Sequence, residues 1–354
     1  MTHPIDNEMN RALKDGVFPS ASLLVGRGPD LLWEKIYGEA LPETLFDIAS
    51  LTKPVCTATL FMMAVREEKV KLDDEVREGI TIRHLLNHTS GLPAYKKYYL
   101  DYASGEEERL VERILREPLE QKPGEKVVYS DLGYILLGDI LQKTYGISLA
   151  NLFSEKIAGA FEMEHTFFEE NPPYPPFSKG GKEIEERPPH SYPPLKKGGQ
   201  GGFVFAPTGH CPWRKRTIVG CVMDEHAYLL GGAAGHAGLF STAADLRTWL
   251  LKMNEWKKEK ILAPFFSVPK NRDLKIPFFT LGFDTPSSPS SSGKYFSSQS
   301  LGHLGYSGCS FWWDPEADFF VICLTNRVHP SRENEKIRAF RPHLHDLIVE
   351  SFKP

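Results

Sequence analysis

Residues 50–53 read Ser50-Leu51-Thr52-Lys53, and the stretch from Val55 to Val65 (VCTATLFMMAV) is apolar almost throughout. Side chains three apart on a helix share a face, so a helix opening at Ser50 aims the Ser50 hydroxyl and the Lys53 ammonium into one pocket. Pro54 is tolerated only near a helix start, which places the beginning at Ser50. The apolar run behind it predicts a helix that heads into the core. A serine in that first turn sits at the positive helix end, where free backbone N–H groups can stabilise an oxyanion. An S-x-x-K spacing recurs by chance in many proteins, so its meaning depends on what the rest of the chain supplies.

Upstream, Phe18 to Gly26 has the pattern of a strand ending in a glycine turn, and Leu31 to Tyr37 can pair back as a hairpin. Downstream, His84 and His88 are four apart, as in a zinc helix. No glutamate follows His84 and no third ligand is evident, which favours a structural role. Glu106 to Glu120 reads as a charged amphipathic helix broken by Gln121-Lys122-Pro123-Gly124. Val127-Val128-Tyr129-Ser130-Asp131 then leads into an apolar helix, Leu132 to Tyr145, closed by Gly146. Tyr129 stands at the loop end before that helix, a common place for catalytic groups. The plainer alternative is a half-buried tyrosine beside a capping Ser130 or Asp131.

Composition shifts abruptly from Asn171 to Gly202, where Pro175-Pro176-Phe177-Ser178-Lys179-Gly180-Gly181 is nearly repeated as Pro193-Pro194-Leu195-Lys196-Lys197-Gly198-Gly199. Such proline and glycine density predicts an extended insertion rather than packed core, with a polyproline-II docking peptide as the functional alternative. Gly231 to Ser241 is glycine-rich without the Gly-Lys-Ser/Thr of a phosphate loop, so it reads as close backbone packing. Ser241 or Thr242 with Asp245 can cap a helix reaching about Asn254. Asp284 to Ser300 is serine-rich and predicts a flexible loop. Leu301 to Gly308, with His303, leads through Trp312-Trp313 to a buried strand, Phe319 to Asn326, giving a hairpin of a central sheet that a helix from Ile337 to Phe352 can cover.

The chain has 354 residues, 41% hydrophobic and 25% charged, with a net charge of -4. Those values suit a globular fold and give no reason to expect nucleic acid or an anionic membrane as partner. The polar N-terminus, the lack of an apolar run of spanning length and five scattered cysteines point to a cytoplasmic protein with reduced thiols. No cysteine pair has metal-ligand spacing, so neither metal nor cofactor is expected.

Taken together, Ser50-Leu51-Thr52-Lys53, Tyr129-Ser130-Asp131 and His303-Leu304-Gly305 follow the order and separations of the three active-site motifs of penicillin-recognising serine hydrolases. The chain resembles their class C β-lactamase-like branch, which includes D-alanyl-D-alanine carboxypeptidases, D-aminopeptidases and esterases. IRHLLNHTSGLP (82–93), GHAGLFSTAAD (235–245) and LTNRVHP (324–330) also look like that family. The resemblance implies an α/β (α+β) fold, a mainly antiparallel sheet flanked by helices. Its sheet lobe would be about 1–66 and 240–354, its mostly helical lobe about 67–170, with the insertion at 171–202. It also implies that Ser50 is the nucleophile, that Lys53 and Tyr129 share its activation, and that His303 holds the strand position often taken by lysine. Asp131 and Gly305 would line the substrate site, and the Ser50 and Tyr306 amides would form the oxyanion hole.

A serine hydroxyl needs a neighbouring base, and an acyl-enzyme divides hydrolysis into two smaller barriers. An ammonium beside Tyr129 favours tyrosinate and Asp131 keeps Lys53 charged, which makes Tyr129 the expected base and Lys53 its electrostatic partner. Two departures bear on substrate. Asp131 stands where the second motif usually ends in asparagine, and Leu304 where many members carry a hydroxyl. Both weaken the donor set for a carboxylate, so β-lactamase activity should be weak and a small ester or a short amide with D-residues is the better candidate. A catalytically feeble sensor of penicillin or muropeptides, with Asp131 blocking turnover, is the competing reading.

Overall fold

In a computed structural model, which describes residues 3–102, 110–169 and 203–352, strands from the two ends of the chain meet in one antiparallel sheet. Its strands are β1 (Ser20–Arg27), β2 (Asp30–Gly38), β3 (Leu301–Leu304), β4 (Ser310–Asp314) and β5 (Phe319–Thr325), in the spatial order β3-β4-β5-β1-β2. β1 and β5 are buried along almost their whole length because both sheet faces are covered. The period-2 alternation sorts their side chains. Leu24, Phe320, Ile322 and Leu324 join the large core on one face, and Ala21, Leu23, Val25, Val321 and Cys323 join the smaller core on the other. Helix α1 (Pro4–Lys14) contributes Ile5, Met9 and Ala12 to that smaller core. The C-terminal helix α5 (Ile337–Ser351) contributes Ile337, Phe340, Leu344 and Ile348, the spacing of one helix face. Each such side chain fully buried stabilises the fold by about 1.5–3 kcal/mol.

The larger core holds the helix behind Ser50, α2 (Thr59–Arg66), together with α3 (Asp131–Tyr145) and α4 (Ala243–Trp256). Ser130 caps α3 by accepting from the Gly133 amide at 3.3 Å, and Gly146 ends it with φ 73°. Thr242 caps α4 through the Asp245 amide. A second, small sheet runs in the order Phe167–Phe168, Leu239–Ser241, Thr44–Asp47, Val204–Phe205, and ties the segment before Ser50 to the segment after His236. The five cysteines are buried and none is in a disulfide. Among the described residues no helix is long and apolar enough to cross a membrane.

Three local expectations change. The helix at Ser50 is not one α-helix but a 3-10 turn (Ala49–Leu51), a wide π turn (Lys53–Ala58) and then α2. Pro54 has no amide to give the preceding turn, so the hydrogen-bond ladder resets there. Only Leu110–Arg116 of the expected 106–120 helix is helical, residues 117–120 continue without helix, and 106–109 lie outside the described residues, as does the insertion 171–202. Asp284 to Ser300 is irregular as expected but packed rather than loose. Ser292 and Ser300 are fully buried, and Asp284 exchanges backbone hydrogen bonds with Gly302 at the edge of β3.

Candidate active site

Ser50 follows a strained residue. Ala49 has φ 48°, unusual for a side chain with a Cβ, and its amide is held by Asp47 Oδ1 at 2.9 Å. The other oxygen of Asp47 accepts from the Met223 amide at 2.9 Å. Asp47 therefore fixes the turn that presents Ser50 and binds it to the 222–238 segment. Between Ser50 and Lys53, Thr52 points the other way, and its hydroxyl accepts from the Leu239 amide at 3.2 Å.

Lys53 is fully buried, with Nζ 3.0 Å from Ser50 Oγ, 2.7 Å from Asp131 Oδ1 and 3.3 Å from the His236 carbonyl. It also lies 4.7 Å from the centre of the Tyr129 ring, close enough for Lys53 and Ser50 both to bear on the ionisation of the phenol. Burial disfavours the ammonium, but Asp131 and then Tyr129 outweigh it, so the Lys53 pKa is raised. For Tyr129 the balance runs against the expected tyrosinate. Burial raises its pKa, Lys53 lowers it, Asp131 raises it again, and the net direction is upward. Both directions favour a Lys53 ammonium, held by Asp131, beside a neutral Tyr129 phenol. Sequence reasoning counted Asp131 only for its effect on Lys53, and omitted both its effect on Tyr129 and burial.

His303 lies on β3, buried, its ring centre 5.9 Å from that of Tyr129. Its Nδ1 is 3.0 Å from the Leu304 carbonyl, which can only accept, so Nδ1 carries the proton and Nε2 presents a lone pair. Burial first, then the Lys53 charge, push its pKa down to about 3. His303 thus sits on β3 as a neutral ring rather than a cation. Gly305 lets the end of β3 approach the Ser50 turn, because a Cβ there would lie 2.6 Å from the Ile48 carbonyl oxygen. The Ser50 and Tyr306 amides take no backbone partner among the described residues. Tyr306 is held from behind, since Arg327 Nε donates to its carbonyl at 3.0 Å and Arg341 donates to the Gly308 carbonyl at 2.8 Å.

Ser50, Tyr129, Asp131, His303, Gly305 and Tyr306 all line one cleft of about 1340 Å3. Of the two histidines judged structural, His84 completes a capping box with Thr81. His88 is buried 4.5 Å from the Tyr129 ring centre and accepts from the Ser130 amide, so it orients the second motif. Asp47, Arg327, Arg341 and the pair Asp224–His236, 2.8 Å apart, were not singled out in the sequence. The stretches 235–245 and 324–330 carry two of these residues, and their likeness to a family was the signal available.

A family model described as beta-lactamase matches residues 5–343. N-acetylmuramyl-L-alanine amidase of Bacillus subtilis (strain 168) is 28% identical over 375 residues, covering 92% of this chain and 80% of the relative. A protein of Escherichia coli (strain K12) provisionally named a D-alanyl-D-alanine carboxypeptidase is 27% identical over 378 residues, covering 91% and 82%. Among solved structures, EstCE1, a hydrolase with promiscuous acyltransferase activity, superposes with a TM-score of 0.69 at 19% identity and 97% coverage of each chain, a likeness of fold. The antiparallel sheet built from both chain ends, the helices on its two faces and a family match over nearly the whole length agree, and the chain belongs to the beta-lactamase family.

Proposed function

We propose that this chain is a serine hydrolase that works through an acyl-enzyme on Ser50, with an amide or ester of a D-residue-containing peptide or muropeptide as substrate. The observation that carries this reading is the cluster of Ser50, Lys53, Tyr129 and Asp131 within hydrogen-bonding reach at the wall of a large cleft. The names of the amidase and carboxypeptidase relatives support the substrate class.

Ser50 Oγ attacks the carbonyl carbon and gives its proton to Tyr129 Oη, while Tyr129 passes its own proton to the leaving nitrogen or oxygen. A neutral phenol suits that exchange, and no resting tyrosinate is required. The Lys53 ammonium stabilises the negative charge that develops on Ser50 Oγ and Tyr129 Oη, with Asp131 holding it in place. The Ser50 and Tyr306 amides receive the carbonyl oxygen as it becomes an oxyanion. In the second half Tyr129 takes a proton from water as it attacks the acyl carbon, and returns one to Ser50. His303 lines the cleft with a neutral ring rather than a cation. A neutral His303 and the Asp131 charge both disfavour a substrate carboxylate beside the scissile bond, so nitrocefin turnover is expected to be weak.

A fluorophosphonate probe should label the wild type and leave Ser50→Ala unlabelled, and a screen of p-nitrophenyl esters, D-alanyl peptides, muramyl-peptide amides and nitrocefin should show turnover of an ester or a D-residue or muropeptide amide. Absence of labelling at Ser50 would overturn the reading. An adduct with substrate that forms and is never released would replace the enzyme by a sensor.

A further inference from the structure

His226 is fully buried, and among the described residues neither of its ring nitrogens has a hydrogen-bond partner. His236, 1% exposed, leaves Nδ1 in the same condition, although its Nε2 meets Asp224 Oδ1 at 2.8 Å. Buried imidazole nitrogens are ordinarily paired, because leaving one bare forfeits its hydration without return. A partner shared with the neighbouring carboxylate can take one nitrogen from each ring. The Asp224–His236 contact cannot be that partner, since it leaves His226 unexplained. Nor can Glu225, whose Oε1 already accepts from Arg332 at 2.7 Å and from Cys211 at 3.4 Å.

One donor atom from each of Asp224, His226 and His236 lies within 4.8 Å of the other two. Bonds of about 2.0–2.1 Å to a tetrahedral zinc set its donors about 3.4 Å apart, so closure needs shifts of about an ångström. Two imidazoles and one carboxylate are a donor set that zinc-class ions favour over magnesium or calcium. The rings of Tyr95 and Tyr99 stand 5.0 and 5.6 Å from that of His226, an apolar collar that limits competition from solvent.

We propose that Asp224, His226 and His236 bind a zinc-class divalent cation in the cleft wall beside Lys53. The ion adds a cross-link between two segments that already meet through the Asp224–His236 contact and the Val222, Ala227, Ala234 and Ala237 cluster. One of them carries the His236 carbonyl that accepts from Lys53 and the Gly235 carbonyl that accepts from Thr57 at 2.6 Å. Asp224 and His236 also line the cleft, so the remaining coordination position opens toward it. The acyl-transfer steps do not pass through the ion. Its part is to hold the 224–236 segment against Lys53, and the site stands or falls apart from the hydrolase reading.

The test is metal binding to the full chain after dialysis against a chelator. Titration with zinc chloride should show one equivalent bound with a dissociation constant in the micromolar range or tighter, and a raised melting temperature. Cobalt chloride should give one equivalent of visible ligand-field absorption with imidazole character. His226→Ala should weaken zinc binding about 10–100-fold, whereas Cys211→Ser and Cys221→Ser should leave it intact. A wild type that binds no stoichiometric zinc or cobalt overturns the assignment whatever the variants do. So does binding that survives His226→Ala unchanged, or that disappears with the cysteines.

Discussion

On the helix side of the cleft Lys53 is fully buried yet charged, its ammonium surrounded by Ser50, Asp131 and the His236 carbonyl. On the sheet-edge side His303 is buried and Asp284 half-buried, and removal from water drives both toward the neutral form, with His303 pushed down to about 3 and Asp284 up to about 7. The difference is the partner. Asp131 lies 2.7 Å from Lys53, while His303 faces only the Leu304 carbonyl, and Asp284 has the Thr285 amide and a more distant Arg272. An ion survives burial when a counter-charge and hydrogen bonds replace its hydration, and otherwise gives up its charge. The cleft therefore concentrates charge around Ser50 and carries less of it along the sheet edge.

The largest way to break that contrast is to remove the groups that share the Ser50 proton. Tyr129→Phe should lower kcat for ester or amide hydrolysis about 10^2–10^4-fold, with Ser50→Ala at least as severe and the circular dichroism spectrum unchanged. Near-normal acylation by Tyr129→Phe, measured as a burst with a p-nitrophenyl ester, would remove the phenol from the mechanism.

Asp284 tests the sheet-edge side by stability. Its folded-state pKa of about 7 lies above the usual aspartate value of about 3.9, so between those values the folded protein binds more protons than the unfolded chain. The stability this gives is complete below about pH 4 and lost as pH rises through 7, with a slope of at most about 1.4 kcal/mol per pH unit. Urea unfolding of Asp284→Asn should show a flatter profile than the wild type from pH 5 to 8. An unaltered profile would mean that Asp284 is ionised throughout and that the sheet-edge side carries charge after all.

Asp131→Asn sharpens the contrast from the other side, because it keeps an acceptor for Lys53 but deletes the counter-charge. Loss of a charge-assisted hydrogen bond of this kind costs about 1.5–3 kcal/mol, read as a lower denaturation midpoint at pH 7. The same variant should turn over nitrocefin faster than the wild type, since it regains an amide donor and loses a charge that repels carboxylates. A variant as stable and as slow as the wild type would show that Asp131 does not set the charge of Lys53.

Much of this was legible in the chain. Apolar runs marked β1 and β5, turn chemistry marked the ends of α3, and three motifs far apart in sequence pointed to one site. Two kinds of feature were not legible. The break of the Ser50 helix into 3-10, π and α turns depends on how Pro54, Thr57 and the Gly235 carbonyl meet in three dimensions. The balance of charge depends on burial. A sequence shows that Lys53, Tyr129 and Asp131 can be neighbours, but which of them ionises follows from desolvation, and that exists only once the chain is folded. The donors at 224, 226 and 236 escaped notice for a related reason, since they match no regular ligand spacing and meet only because the glycine-rich 231–238 segment turns back.

The smallest expected effect is an absence of change, and it bears most directly on what the sheet-edge side can recognise. With its pKa near 3, His303 stays neutral from pH 5 to 8, so its ring proton resonances should not move over that range. They can be assigned by comparison with His303→Gln. Any titration of catalysis between pH 5 and 8 would then belong to other groups. If the His303 resonances instead shift with a midpoint near 6.5, the position is cationic at lower pH. Nε2 would then donate rather than accept, and a substrate carboxylate would have to be readmitted beside the scissile bond.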